Sequence, residues 1–282
     1  MARLVRLELN KALRNPWFVI ALFVTCALAV ASSALTLQGV YETYNLKGGF
    51  EKEYLSLSMY SSFGLSLPVA NDAASVAFYY LCPLLVLVPY ATSLRSELVD
   101  GVLAQAYTRS PRAHYLAAKA CAAFVSGSLI VAIPLVLNLL VLSCFMPGYT
   151  PEALDGLHLG INPGEAFARL FYEAPVAYAL VNTLTCGALY GTWAVCVLAV
   201  SAFVDNRVIL LAGSYLFVLG VGYASGLLFS ALRTTAVRLS LTELAKGASY
   251  DPRDPRGLLF ALLLQAVFGL LVIRGIRKRD VL

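Results

Sequence analysis

The chain has 282 residues, of which 60% are hydrophobic and only 13% are charged. In soluble domains about a quarter of all residues are charged. In this chain the charged residues are also gathered into short polar segments between long apolar runs. No polar segment is long enough to bury a core of its own, so a soluble enzyme is excluded. The composition predicts an all-α integral membrane protein with a single transmembrane domain over residues 1–282.

Six apolar stretches are candidates for spanning helices, each of which needs about 20 residues to cross a bilayer. We predict spans at about 16–40, 73–94, 118–146, 174–204, 208–232 and 257–273. Pro83 and Pro89 predict a kink in the second span, and Gly187 and Gly191 predict weak points in the fourth. A cleaved signal peptide is the alternative for the first stretch, but its apolar core is long and further spans follow.

The distribution of basic residues predicts the orientation. Thirteen of the 21 Lys and Arg residues, but only five of the 16 acidic residues, fall in four segments: 1–16, 95–119, 205–207 and 274–282. Because cytoplasmic segments are enriched in Lys and Arg, these four are expected in the cytoplasm. The prediction is a multi-pass protein of the cell membrane with both termini cytoplasmic. The net charge of +5 is then explained by orientation and by anionic lipids, and no nucleic-acid partner is expected.

Two polar regions lie on the predicted outer side. Residues 42–72 are rich in Ser, Gly and Tyr and are too short for a domain. Residues 233–256 carry five basic residues, which leaves open whether they form a re-entrant segment or a plain outer loop.

Residues 1–15 have the pattern of an amphipathic helix. Its polar face carries Arg3, Arg6, Asn10 and Arg14. Its apolar face carries Val5, Leu9, Ala12 and Leu13. Such a helix is expected to lie in the inner interface of the membrane, with its basic face toward lipid headgroups.

The chain has no visible source of energy or catalytic constellation. No Asp, Glu, Lys or Arg is expected deep in a span, whereas proton-driven transporters keep such groups inside the bilayer. No G-x-x-x-x-G-K-[ST] motif occurs, so ATP would have to bind another polypeptide. The six cysteines lie in apolar stretches without a C-x-x-C pair, which favours small buried hydrophobes and predicts no metal site.

Residues 95–119 form the only sizeable predicted cytoplasmic loop between spans. Its apolar residues Leu98, Val102, Leu103 and Ala106 fit one face of a short helix. Gly101 permits a break midway, and Ser110-Pro111-Arg112 is a turn signal. Two interpretations are open: a solvated loop with basic anchors, or a docking element for a cytoplasmic partner.

This loop resembles the segment between the second and third spans of type-2 ABC exporter permeases, the membrane subunits of one class of ATP-binding-cassette transporters. The matching positions are Glu97, Gly101, Pro111-Arg112, Tyr115 and Lys119. The N-terminus resembles the family's interfacial elbow helix through Glu8, Lys11 and residues 14–18. The ending at residues 277–282 and the layout of six spans resemble the family as well.

The resemblance implies a dimer of permeases, identical or related, that forms the translocation pathway. Each permease would dock on a separate cytoplasmic ATPase subunit, which would hold ATP and Mg, and residues 97–112 would be the coupling helix. The expected partner contacts are Glu97, Asp100, Gly101, Arg109 and Arg112. The second and fifth spans would line the route with Tyr79, Tyr80, Tyr90, Thr92, Ser214, Tyr215, Tyr223 and Ser225. Interfacial belts or plain packing are the alternative for these side chains.

Two further function classes remain open from the sequence. One is a non-transporting membrane scaffold, immunity or sensor subunit that binds a partner in the bilayer. The other is an intramembrane enzyme, for which no catalytic arrangement is visible. For an exporter, a largely uncharged pathway favours amphipathic or lipid-like cargo.

Overall fold

The computed structural model describes residues 2–47, 60–151, 161, 167–232, 240–246 and 255–278. Within these ranges all regular secondary structure is helical, as the composition predicts. Five of the described helices are long and apolar enough to cross a membrane. The chain is therefore an all-α, multi-pass membrane protein.

In chain order, the first six described helices are α1 (Ala2–Leu13), α2 (Pro16–Lys47), α3 (Ala73–Leu85), α4 (Ser93–Val99), α5 (Val102–Arg109) and α6 (Arg112–Phe145). They are followed by α7 (Ala168–Glu173), α8 (Pro175–Val200), α9 (Arg207–Leu232), α10 (Leu241–Ala245) and α11 (Pro255–Lys278). The membrane-spanning candidates are α2, α6, α8, α9 and α11.

The second predicted span is not one continuous helix. Helix α3 has 13 residues, which is about 20 Å against a hydrocarbon core of about 30 Å. The chain then runs through turns at 86–92 before α4 begins. Pro89 explains the break, because it lacks an N–H and disfavours helical geometry in the residue before it. Pro89 therefore ends the helix rather than only bending it, whereas Pro83 lies within α3.

The other spans differ from prediction mainly at their ends. Helices α8 and α9 lie within a few residues of the predicted spans, whereas α2 continues to Lys47 and α6 begins earlier, at Arg112. The sixth span, the shortest by sequence, is a helix of 24 residues. Its charged ends continue the helix beyond the apolar run.

The centre of the bundle is the contact between α6 and α8. A Cβ atom on Gly191 would lie 2.4 Å from Ser128 Oγ and 2.9 Å from the Phe124 carbonyl oxygen, so only glycine allows this approach. Ser128 Oγ donates a hydrogen bond to the Gly187 carbonyl at 2.7 Å. The prediction of weak points at Gly187 and Gly191 is wrong, because small residues let two membrane helices pack closely and α8 is unbroken.

Part of the predicted outer loop 42–72 packs into the bundle. Leu67 is fully buried, and its N–H donates to Asn138 Oδ1 of α6 at 2.7 Å. The Asn138 amide donates in turn to Ser33 Oγ at 2.8 Å and to the Ala29 carbonyl at 3.1 Å. One buried amide thus joins α2, α6 and the segment 60–72.

Helix α10 is the described part of region 233–256. It contacts α3, α8 and α9, and Leu241, Leu244 and Ala245 are buried. Lys246, which follows it, donates to Asn71 Oδ1 at 2.6 Å. The described residues of this region therefore pack as an inserted helix rather than as a surface loop.

Candidate functional site

Helices α1, α4 and α6 meet at one end of the bundle. Their contact is built on buried apolar side chains, including Ala12 of α1, Leu94 of α4 and Leu116 of α6. The predicted amphipathic helix α1 is present, and its apolar face packs on α6. This packing brings charged residues from all three helices into one buried space.

Lys119 of α6 is the centre of this space and is only 1% exposed. Its Nζ atom lies 2.9 Å from Glu97 Oε2 and 3.4 Å from Glu8 Oε2. Lys11 donates to the other oxygen of Glu97. We call Glu8, Lys11, Glu97 and Lys119 the charge cluster; its two acids and two bases balance.

Two tyrosines enclose the charge cluster. Tyr115 donates its hydroxyl proton to Glu97 Oε2, and Tyr90 donates to Glu8 Oε2. The Lys119 ammonium lies 5.1 Å from the ring centroid of Tyr90 and 5.6 Å from that of Tyr115. Carboxylates and ring faces thereby offset the cost of removing Lys119 from water.

The electrostatics of Glu97 follow from these contacts. Burial of its carboxyl group opposes ionisation, but the charge of Lys119 and hydrogen bonds from Lys11, Tyr115 and Lys119 favour it. The second effect is larger, so the pKa of Glu97 lies below its ordinary value. Glu97 is therefore held as a carboxylate inside the protein.

The charge cluster corrects the prediction for Glu97. Three of its members, Glu8, Glu97 and Lys119, are all less than a tenth exposed. Glu97 was expected to contact a partner, yet both its oxygens are engaged by Lys11, Tyr115 and Lys119. Its charge is neutralised within the chain and is not presented at the surface.

A sequence signal for the charge cluster did exist. Glu8 lies three residues after Val5 and four before Ala12, which places it in the apolar stripe of α1 and not on the polar face. Lys119 follows Ala117 and Ala118 and precedes Ala120, where a lysine has no polar neighbour in sequence. A charge on an apolar helix face requires a partner from another helix.

The other predicted partner contacts lie on the hairpin formed by α4 and α5. Gly101, between the two helices, has φ of 70°, so the predicted break occurs there and uses a conformation that favours glycine. Asp100 and Gly101 are exposed at the tip, next to Val99 and Val102, which are 68% and 44% exposed. Two exposed valines beside a charged residue form an apolar ridge with a polar edge.

The base of the hairpin is fixed to the bundle. Leu103 of α5 is buried, and Arg95 of α4 forms an ion pair with Asp205, between α8 and α9. Arg112 begins α6, and its guanidinium lies 5.2 Å from the ring centroid of Tyr107. Arg109 ends α5, but its side chain lies outside the described part of the structure.

Of the predicted pathway residues, Tyr80 and Tyr223 are brought together. They line one cavity of about 420 Å³ between α3, α9 and α10. Tyr79 is buried in the core, where its carbonyl accepts from Tyr190 at 3.3 Å, and Tyr90 belongs to the shell of the charge cluster. The remaining four do not line that cavity: Thr92 precedes α4, and Ser214, Tyr215 and Ser225 lie on α9.

Comparisons with protein-family models, with curated proteins and with solved structures find no match. Among the described residues, no group of three His, Cys, Asp or Glu side chains is placed to hold a metal ion. Function is therefore inferred from the hairpin, the charge cluster and the cavity themselves.

Proposed function

We propose that this chain is the membrane-spanning permease subunit of an ATP-binding-cassette exporter. It would form the translocation pathway as a dimer, with an identical or related permease, and would be driven by separate cytoplasmic ATPase subunits. The observation that supports this best is the exposed α4–α5 hairpin, whose base is joined to two further helices through the charge cluster. The resemblance of residues 97–119 to type-2 ABC exporter permeases supports it independently.

The proposal includes six crossings of the cell membrane. The second crossing would be made by α3 together with the turns at 86–92, and the other five by α2, α6, α8, α9 and α11. Both termini, the hairpin and the charge cluster would then lie on the cytoplasmic side, as the distribution of basic residues favours.

The contacts of Glu97 supply a route for force. A load on the hairpin tip would reach Glu97 on α4 and pass to Lys119 on α6 and to Lys11 on α1. Helix α6 is packed along α8, so displacement of α4 would move a central pair of helices as a body. ATP binding by the ATPase dimer would in this way shift the pathway between inward and outward access.

The tip, not Glu97, is the surface for an ATPase. Val99 and Val102 provide exposed apolar area, and Asp100 provides an exposed charge. Interfaces of this kind combine an apolar centre with a polar rim. Their energy is concentrated in a few residues.

The direct test is purification of the tagged chain from its own host without crosslinker, followed by mass identification of the bound subunits. A bound ATPase with a phosphate-binding loop is expected. Val99→Glu combined with Asp100→Arg should lower its recovery by about tenfold or more. Glu42→Arg, which reverses an exposed charge in the last turns of α2, is the matched control and should leave recovery unchanged.

Two results would count against the proposal. Wild-type preparations that contain no ATPase would favour the scaffold, immunity or sensor alternative. Full ATPase recovery with the doubly substituted tip would show that the hairpin is not the docking element.

A further inference from the structure

Helix α1 has an exposed basic side opposite its contact with α6. At 3.6 residues per turn, four exposed basic residues fall within about 140° of the helix circumference. We call these residues the basic face: Arg3, Arg6, Lys11 and Arg14. Arg14 follows α1, but its N–H donates to the Asn10 carbonyl at 3.0 Å and so continues the last turn. The side of α1 that faces away from the bundle is therefore strongly basic.

The positive charge of the basic face is largely unpaired. Glu8, the only acidic residue of α1, is 8% exposed and belongs to the charge cluster. Among the described residues, none forms an ion pair or a hydrogen bond with the guanidinium groups of Arg3, Arg6 and Arg14. Three guanidinium groups on one side of a helix are thus available to an anionic partner.

The basic face adjoins the start of the first candidate span. Arg14 lies two residues before Pro16, where that span begins. The joint is fixed by Asn15, which donates to the Pro89 carbonyl at 2.7 Å and accepts from the N–H of Trp17 at 3.1 Å. Trp17 is 55% exposed, and tryptophan is enriched where headgroups meet hydrocarbon. The end of the basic face therefore lies at the level of the lipid headgroups.

This position favours a lipid over a soluble anionic partner. Leu7 lies among the basic residues and is 58% exposed, which suits contact with the apolar region below the headgroups. Long arginine side chains reach from there to phosphate oxygens, with which guanidinium groups form paired hydrogen bonds. Anionic lipids attract clusters of basic residues next to a spanning helix. The charge and position of the basic face fit the phosphodiester of an anionic phospholipid.

Lys11 connects the basic face to the charge cluster. Its side chain is 54% exposed, while its Nζ atom donates to the buried carboxylate of Glu97. If Lys11 turned away, Glu97 would keep Lys119 and Tyr115 on its other oxygen. Lys119 has no such freedom, because it is 1% exposed. Of the two bases in the charge cluster, Lys11 is therefore the one for which a headgroup phosphate can compete.

We propose that the basic face of α1 binds the headgroup phosphate of anionic phospholipids, and that the bound lipid competes with Glu97 for Lys11. Lipid binding does not depend on the proposed exporter function, whereas an effect on transport rests on it. A bound lipid would weaken one contact at the base of the α4–α5 hairpin. The lipid composition of the membrane would thereby adjust how firmly the hairpin is held.

Quenching of Trp17 by brominated lipids measures the headgroup preference. The full chain is reconstituted into bilayers of phosphatidylcholine and phosphatidylglycerol, in which the acyl chains of one lipid at a time carry bromine. Trp193, the other tryptophan, is 8% exposed and is largely shielded from the quencher. At low salt, phosphatidylglycerol should bind beside Trp17 at least about fivefold more tightly than phosphatidylcholine. Equal quenching by the two lipids would overturn the proposal.

Substitutions assign the preference to the basic face. The combined change Arg3→Gln, Arg6→Gln and Arg14→Gln removes only exposed guanidinium groups, so the variant should fold as wild type does and lose most of the preference. Arg169→Gln is the control, because its exposed guanidinium is already paired with Glu173 at 2.8 Å, and it should keep the full preference. A triple variant that keeps the wild-type preference would overturn the assignment. Loss of ATPase recovery in that same variant would identify a protein as the partner instead.

The competition for Lys11 is measured at the hairpin. Limited proteolysis between α4 and α5 should be about two- to fivefold faster with phosphatidylglycerol than in phosphatidylcholine alone. Lys11→Gln should be cleaved at the same rate in both lipids, and Lys11→Arg, which keeps the charge, should restore the lipid dependence. Cleavage of wild type that is independent of lipid would reject the competition. Neither measurement requires an ATPase, so the lipid site and the exporter function can fail separately.

Discussion

Lys119 Nζ of α6 lies 2.9 Å from Glu97 Oε2 of α4, and the two residues are 1% and 4% exposed. A buried ion pair contributes little net stability compared with apolar residues of the same volume, but removing one partner is costly. The main consequence of this pair is therefore geometric: it fixes the position of the hairpin base on a helix that runs through the bundle.

Removal of one member of the pair should destabilise the protein strongly. Lys119→Met leaves Glu97 and Glu8 buried without their shared cation, and we expect a loss of about 3–5 kcal/mol in the free energy of unfolding. Combined with Glu97→Gln, the loss should be smaller than the sum of the single losses, with a coupling of about 1–3 kcal/mol. Denaturant unfolding in detergent micelles measures all three variants.

The exposed pair Arg169–Glu173 provides the control for this cycle. Its side chains are 87% and 62% exposed, and solvent screens such pairs. The same cycle with Arg169→Gln and Glu173→Gln should show no measurable coupling. Strict additivity at Glu97 and Lys119 would mean that the buried contact is absent in solution.

Acidification should release the same contact. Because the pKa of Glu97 is lower in the folded chain than its ordinary value of about 4.3, its contribution to stability is complete above about pH 5. That contribution is lost as the pH falls through the folded pKa. Unfolding transitions measured from pH 6 to pH 3 should show a smaller loss of stability in Glu97→Gln than in wild type.

Tyr115→Phe should reduce this pH effect only in part. It removes one hydrogen bond that lowers the pKa of Glu97 and keeps the ring beside Lys119. The dependence of stability on pH should therefore lie between those of wild type and Glu97→Gln. If the stability of Glu97→Gln depended on pH as steeply as that of wild type, the effect would have to come from other carboxyl groups.

The fold class and several helix ends could be predicted from the sequence because a bilayer imposes a local requirement. Each crossing needs an uninterrupted apolar run, and this can be counted without knowing what the helix packs against. Helices α8 and α9 accordingly begin and end within a few residues of the predicted spans. The break at Gly101 was equally local, since it depends on one residue and its φ.

The charge cluster could not be predicted in the same way, because it depends on which helices meet. Glu97 follows Ser96 and stands near Asp100 in a polar loop, so local context indicated solvent. Only the packing of α1 and α6 against α4 places Glu8, Lys11 and Lys119 around it. The rule that charged residues avoid the interior of membrane-spanning helices does not predict ion pairs at the end of a bundle.

The grouping of the predicted pathway residues depends on tertiary packing as well. Tyr79 and Tyr80 are neighbours on α3, yet Tyr79 is buried in the core and Tyr80 lines the cavity. Helix α9 is apolar along most of its circumference, so its sequence does not indicate that the side with Tyr223 lines the cavity. The facing of such helices is decided by tertiary packing.

The close approach of α6 and α8 predicts an unusual penalty for one added methyl group. In Gly191→Ala the new Cβ would lie 2.4 Å from Ser128 Oγ, 2.8 Å from Phe124 Cδ2 and 2.9 Å from the Phe124 carbonyl oxygen. The helices must separate, and we expect a loss of about 1–3 kcal/mol. Gly213→Ala on α9, where nothing lies within 4 Å, should be neutral or slightly stabilising, and a similar response at both positions would contradict the close contact.

At the hairpin tip, replacement of Gly101 should be unfavourable because of its backbone conformation and not because of a steric clash. A Cβ on Gly101 would meet nothing within 4 Å, but φ is +70°, where an L-residue costs about 1–2 kcal/mol. Gly101→Ala should therefore destabilise the hairpin, and Gly101→Asn should do so less, because asparagine tolerates this region. Gly39→Ala on α2 is the matched control: its surroundings are equally open but its φ is not in the positive range.

The measurement is local to the hairpin. Limited proteolysis between α4 and α5 should show the greatest protection in wild type, less in Gly101→Asn and least in Gly101→Ala. Recovery of the proposed ATPase partner should follow the same order. Gly39→Ala should match wild type in both. Gly101→Ala that is as protected as wild type would mean that the tip does not adopt the left-handed conformation, and the rigid connection from Val99 and Val102 to Glu97 would lose its structural basis.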